Sequence, residues 1–271
     1  MKYAVLVVLS LAVGCASAPP KKGAVDAPRD PAIAIVKTDA PKETIHLPSA
    51  TPEKHFATAQ HAVAEGKYGE ARASLDQAIG MKPDWAEAYL LRGNVAALQG
   101  EAKVAYADYD RAVTYRPDLV DALVARAQAS LALDRFEVAI ADFDRAIAIA
   151  PRRAPLHFQK AMAHFAKNDD IKALASVNQA IVVDPTHAES YRLRAQLDLF
   201  AKDYPKAIED ASRAIELAKD DARAWAVRGN ARMLSGDKAG AKKDLENALR
   251  LDPSLVDELR AKILNLEREG K

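Results

Sequence analysis

His164, Asp198 and Arg232 stand 34 residues apart in a chain of 271. A His–Asp pair is where general-base and nucleophilic chemistry begins, but in the three blocks that carry these residues no Ser or Cys shares that spacing to complete it. The row is therefore read as a hydrogen-bonded ladder with a structural job. His157 and His164 lie seven residues apart on one helical stripe, and they read as core side chains rather than metal ligands. The single cysteine, Cys15, excludes a disulfide framework, a cysteine-rich zinc site and an iron–sulfur cluster. The chain has no Gly-rich dinucleotide loop, no phosphate-binding loop, no His-Glu-x-x-His and no nucleophile elbow. It is expected to be no enzyme and to hold no cofactor or metal. With 39 Lys and Arg against 38 Asp and Glu, the net charge of +1 argues against nucleic acid as a partner.

The spacing of 34 runs through most of the chain. From Pro52 the sequence divides into six blocks without insertion: 52–85, 86–119, 120–153, 154–187, 188–221 and 222–255. Position 20 of the blocks is Ala71, Ala105, Ala139, Ala173, Ala207 and Ala241; position 27 is Ala78, Ala112, Ala146, Ala180, Ala214 and Ala248. Alanine is about one residue in five, so twelve such matches by chance are on the order of one in 10⁸. Position 8 is always Ala or Gly, and position 32 is Pro83, Pro117, Pro151, Pro185 and Pro253, with Lys219 the exception. Apolar and small residues at 4, 8 and 11, then at 20, 24 and 27, predict two amphipathic helices per block. Small residues at 8 and 20 let the two helices approach closely, and the prolines stop the second before the next block begins.

Block 2, with Tyr89, Gly93, Ala105, Tyr109, Ala112 and Pro117, carries the pattern most fully. This pattern resembles the tetratricopeptide repeat, over residues 52–255. The resemblance implies an all-α fold: a right-handed superhelical solenoid of six helix hairpins, with residues 256–271 as the capping helix that solvates its end. It also implies that a peptide or partner protein binds in the concave groove, at positions 2, 5, 9, 12 and 13 of each first helix.

Those positions hold two kinds of side chain. Position 9 reads Gln60, Asn94, Gln128, Met162, Gln196 and Asn230. Carboxamides in a row can donate and accept along an extended backbone, or they are merely solvated amides on a helix surface. Block 4 instead places Phe158, Met162 and Phe165 one turn apart, with Leu131 of block 3 and Leu199 and Phe200 of block 5 beside them. These are anchors for a partner, or they pack under neighbouring helices. Phe56 and Gln60 stand where a carboxylate clamp for chaperone C-termini would need Lys and Asn, so that activity is not expected. Arg92, Arg126, Lys160, Arg194 and Arg228 at position 7 face Asp108, Asp142, Ser176, Asp210 and Asp244 at position 23 across an antiparallel hairpin. Block 1 lacks both charges together, at Thr58 and Ser74. This joint loss reads as structural ion pairing.

The front of the chain reads as an address. The uncharged run 3–14 is too short to span a membrane and fits the core of a signal peptide. Leu11-Ala12-Val13-Gly14 before Cys15 resembles a bacterial lipobox, though Ala12 replaces the usual Leu and the basic region is one lysine. The resemblance implies a signal peptide over 1–14 and a lipid-modified Cys15; ordinary cleavage after Ala18 is the alternative. Ala16 is no retention signal, which implies an outer-membrane lipoprotein facing the periplasm, with the inner membrane or secretion as alternatives. Residues 15–51 hold six scattered prolines and read as a flexible tether, in which Ala32–Val36 could pair as a short strand. The layout is similar to repeat lipoproteins of type IV pilus biogenesis and of other envelope assemblies. The function expected is a membrane-anchored scaffold for envelope or pilus assembly; the alternative is a regulatory adaptor of peptidoglycan-modifying enzymes. The sequence names no partner and no oligomeric state.

Overall fold

A computed structural model describes residues 50–269. The signal peptide, Cys15, the Ala32–Val36 strand and all but the last two residues of the tether lie outside the described residues. Within them the chain forms α1 (Pro52–Ala64), α2 (Tyr68–Met81), α3 (Ala86–Leu98), α4 (Ala102–Tyr115), α5 (Val120–Ala132), α6 (Phe136–Ile149), α7 (Ala154–Ala166), α8 (Asp170–Val183), α9 (Ala188–Phe200), α10 (Tyr204–Leu217), α11 (Ala222–Ser235), α12 (Lys238–Leu251) and α13 (Val256–Glu269), with a 3₁₀ turn at Pro253–Leu255 before the last. No strand occurs among the described residues, and no helix there is long and apolar enough to cross a membrane.

Each repeat is a hairpin of a first helix and a second helix, and the twelve alanines at positions 20 and 27 are all fully buried. In every repeat but the fifth, where Ala211 stands, a larger side chain at position 24 packs on the small residue at position 8. At Gly93 an added Cβ would lie 2.5 Å from Tyr109 Cε1, so only glycine admits the tyrosine there. Second helices end two residues before the position-32 proline. Where Lys219 replaces that proline, α10 ends at the same register, and the Lys219 carbonyl accepts from Trp225 Nε1 at 3.0 Å. At the far end Leu259 and Leu266 of α13 are buried, in a cluster with Ala241 and Leu245 of α12, leaving charged residues outward.

The turn inside every hairpin passes through the left-handed region at position 15. That residue is Gly66, Gly100, Asp134, Asn168, Lys202 and Gly236, with φ of 73°, 77°, 56°, 63°, 64° and 96°. Glycine, asparagine and aspartate tolerate this conformation, whereas a lysine Cβ crowds the following carbonyl at a cost of about 1 kcal/mol. Lys202→Gly should therefore raise the melting temperature by roughly 2–4 °C, read by circular dichroism. An unchanged or lower melt would show that the turn is not strained.

First helices of adjacent repeats touch one another (α1 with α3, α3 with α5, α9 with α11), while each second helix packs on the first helix that follows. That arrangement sets the first helices on the inner side of the repeat superhelix, where the groove positions lie.

Candidate partner-binding groove

Polar side chains within and between the hairpins fix the groove's spacing. Each position-7 arginine forms a two-point bond to its own position-23 aspartate: Arg92 to Asp108 at 2.9 and 2.6 Å, Arg126 to Asp142 at 2.7 and 2.6 Å, Arg194 to Asp210 at 2.6 and 2.8 Å, Arg228 to Asp244 at 2.8 and 2.9 Å. The third nitrogen reaches back to position 25 of the preceding repeat: Arg92 to Asp76, Arg126 to Asp110, Arg194 to Asn178 and Arg228 to Ser212. Lys160, whose own position 23 is Ser176, reaches only backward, to Asp144 at 2.6 Å. The pairing within each hairpin was expected; the link between repeats was not. Its signal is a polar residue at position 25 of every block. Hydrogen bonds donated to Asp142 and Asp108 hold Arg126 and Arg92 above the ordinary arginine pKa, so both stay charged wherever the fold survives.

The expected ladder of His164, Asp198 and Arg232 does not form. Arg232 turns to Asp244 at 2.8 Å and Asp237 at 3.6 Å within its own hairpin. His164 Nδ1 is buried with no hydrogen-bond partner. Asp198 has no side-chain hydrogen bond among the described residues, and burial, then Asp210 and Asp203, raise its pKa. A raised carboxyl favours the fold below its ordinary pKa and loses that benefit as pH rises through the folded value. Asp198→Asn should therefore leave the neutral-pH melt equal or up to about 2 °C higher, the gain shrinking towards pH 4. A fall in the melt at neutral pH would restore the ladder.

On the inner face the carboxamides are largely engaged. Asn94 Oδ1 accepts from the Tyr109 hydroxyl at 2.9 Å, Gln128 donates to Gln159 at 3.3 Å, and Asn230 Oδ1 accepts from Lys262 of the capping helix at 3.0 Å. Gln196 is half-buried with no such partner. The apolar residues behave differently. Phe158, Met162 and Phe165 pack on one side against Ala161, Ala173, Val177, Leu193 and Leu197, yet stay half-exposed on the other. The Phe165 ring stacks on Phe200, centroids 6.0 Å apart and planes 14° apart, which joins α7 to α9. Phe158 meets the His187 ring at 5.2 Å. Leu199 is half-buried and Phe200 is 42% exposed, and Leu131, likewise half-buried, packs against Phe143 and Ala163. The structure adds Leu234, 53% exposed, at position 13 of the sixth repeat, which extends the apolar surface one repeat further. Its signal in the sequence was its register with Phe200.

Models of the tetratricopeptide repeat match residues 56–118 and 103–154, and a second such model matches 222–255. No curated protein matches the chain. Among solved structures the chain is similar to pilF of Pseudomonas aeruginosa, at 16% identity over 78% of this chain and 97% of that one, with a TM-score of 0.65. It is similar also to MamA from Desulfovibrio magneticus, at 18% identity over 62% and 95%, TM-score 0.59. A third is YrrB, a repeat protein described as having an unusual peptide-binding site, at 17% identity over 69% and 97%, TM-score 0.54. At these identities the likeness is one of fold. With the repeat matched in sequence toward both ends of the array and its helix hairpins present throughout, the chain is a tetratricopeptide-repeat protein.

Proposed function

We propose that the chain is a lipid-anchored scaffold, facing the periplasm from the outer membrane, that holds a protein or peptide partner in its groove during envelope or pilus assembly. The observation that carries the groove reading is the apolar surface of the half-buried Phe158, Met162, Phe165 and Leu199 and the exposed Phe200 on adjacent inner helices. Aromatic and methionine side chains held rigidly in a concavity are what a partner's anchor residues bury against. The fold shared with YrrB, which has a peptide-binding site, supports the same use of the inner face. The proposed activity is binding and not catalysis: the His164–Asp198–Arg232 row assembles no reactive pair, since Arg232 bonds Asp244 and His164 is buried. The lipobox-like run before Cys15 supports the anchor.

A photo-crosslinking residue at Phe200, with one at the exposed Lys172 as control, tests the groove. One dominant captured envelope protein at Phe200 and none at Lys172 supports docking; the same diffuse set at both positions overturns it. For the anchor, Cys15→Ala should abolish labelling by a palmitate analogue and move the protein from the membrane fraction to the soluble one. Unchanged fractionation would remove the lipid from the account.

A further inference from the structure

Among the described residues, His164 Nδ1 is the buried side-chain nitrogen or oxygen left without a hydrogen bond. The residue is 6% exposed and sits on α7, one position before Phe165. The carboxylate it faces is Asp169, whose Oδ2 lies 3.9 Å away, beyond hydrogen-bonding distance. That carboxylate is already committed: its Oδ1 caps α8 by accepting from the Lys172 backbone at 3.3 Å, and its Oδ2 pairs with Lys172 Nζ at 3.3 Å. The charges around the imidazole are Lys160 on its own helix, Asp169 in the turn, Lys172 on α8 and Asp144 on α6. On α9 the residue one repeat along is Asp198, whose field comes chiefly from Asp210 and Asp203. Burial, and next Lys160, hold His164 below the ordinary histidine pKa. A depressed histidine stabilises the fold above about pH 6.5, and that stability is lost as pH falls through the folded value.

We propose that His164 makes the α7–α8 hairpin an acid-sensitive joint, because an imidazolium buried beside Lys160, with no acceptor within hydrogen-bonding distance of Nδ1, is better solvated when the hairpin opens. Repeats 1–3 carry Ala62, Ala96 and Ser130 at this position, so the device belongs to repeat 4. His164 is the residue before Phe165, whose ring stacks on Phe200 of α9, so a displacement of α7 reaches the Phe158–Met162–Phe165 face. The effect on a docked partner rests on the groove reading above; the opening itself does not.

Hydrogen exchange by mass spectrometry at pH 7.5 and 5.5 tests it, with protection factors in α7 and α8 compared with those in α3 and α4. In the wild type, protection of α7–α8 should fall about tenfold relative to α3–α4 between the two pH values. In His164→Gln, and independently in His164→Phe, that extra fall should vanish. No extra fall in the wild type, or an equal fall in both variants, would overturn the joint. Should the hairpin open at pH 5.5 while crosslinking at Phe200 is as strong as at pH 7.5, the joint stands and its link to the groove is refuted.

Discussion

Arg126→Met is expected to lower the melting temperature by roughly 6–12 °C, the loss of about 3 kcal/mol that follows when a buried ion pair is cut on one side. Asp142 is 2% exposed, and its two oxygens take the two bonds from Arg126; without them the nearest cation is Arg145 Nη1 at 3.7 Å. The same substitution removes the bond to Asp110, which ties repeat 3 to repeat 2. The Asp110 side chain is 49% exposed, so water replaces that bond and Asp110→Ala should cost under about 1 kcal/mol. The double variant Arg126→Met, Asp142→Leu should recover most of the loss, because an apolar pair of similar volume carries no desolvation cost. Thermal and urea unfolding of the three chains distinguishes these outcomes. A melt for Arg126→Met within about 2 °C of the wild type would mean the staple aligns the repeats without stabilising them.

The array was legible because its determinants repeat. Alanine at 20 and 27, small residues at 8 and proline at 32 each answer one local need, so a period of 34 displayed them together. The Arg–Asp pairs were legible for a different reason: block 1 lacks both partners, a correlated loss within one hairpin. Position 25 escaped because its partner lies in the next repeat, and only the packing of repeats brings the two together. Position 15 escaped because glycine, asparagine, aspartate and even lysine occupy one backbone conformation, so no residue type marks it. The row at position 11 misled for the converse reason. Equivalent residues of successive repeats share a register but face into their own hairpins, and Arg232 accordingly finds Asp244 rather than Asp198. On the inner face the amides were visible, but their engagement was not, since Tyr109 and Lys262 reach them from other helices.

Phe143→Ala is expected to cost about 4 kcal/mol and to split the unfolding of the array into two transitions. The ring is fully buried on α6, where it packs against Ala127, Ala139 and Ala163. Those neighbours are alanines, too short to extend into the space, and the half-buried Val124, Leu131 and Ile140 at the edge of the cluster can fill it only in part. A cavity that collapses only in part lies within the range for Phe→Ala. Its position matters as much as its size. Repeats touch only their neighbours, so weakening repeat 3 uncouples repeats 1–2 from repeats 4–6, whereas Leu75→Ala in the first repeat merely frays one end. The longer C-terminal block keeps α13 as its cap and the whole Phe158–Phe200 surface, and it should melt last. Calorimetry should resolve two peaks for Phe143→Ala and one for Leu75→Ala. A single shifted peak for both would mean that the staples between repeats, and not the core of each hairpin, set the cooperativity of the solenoid.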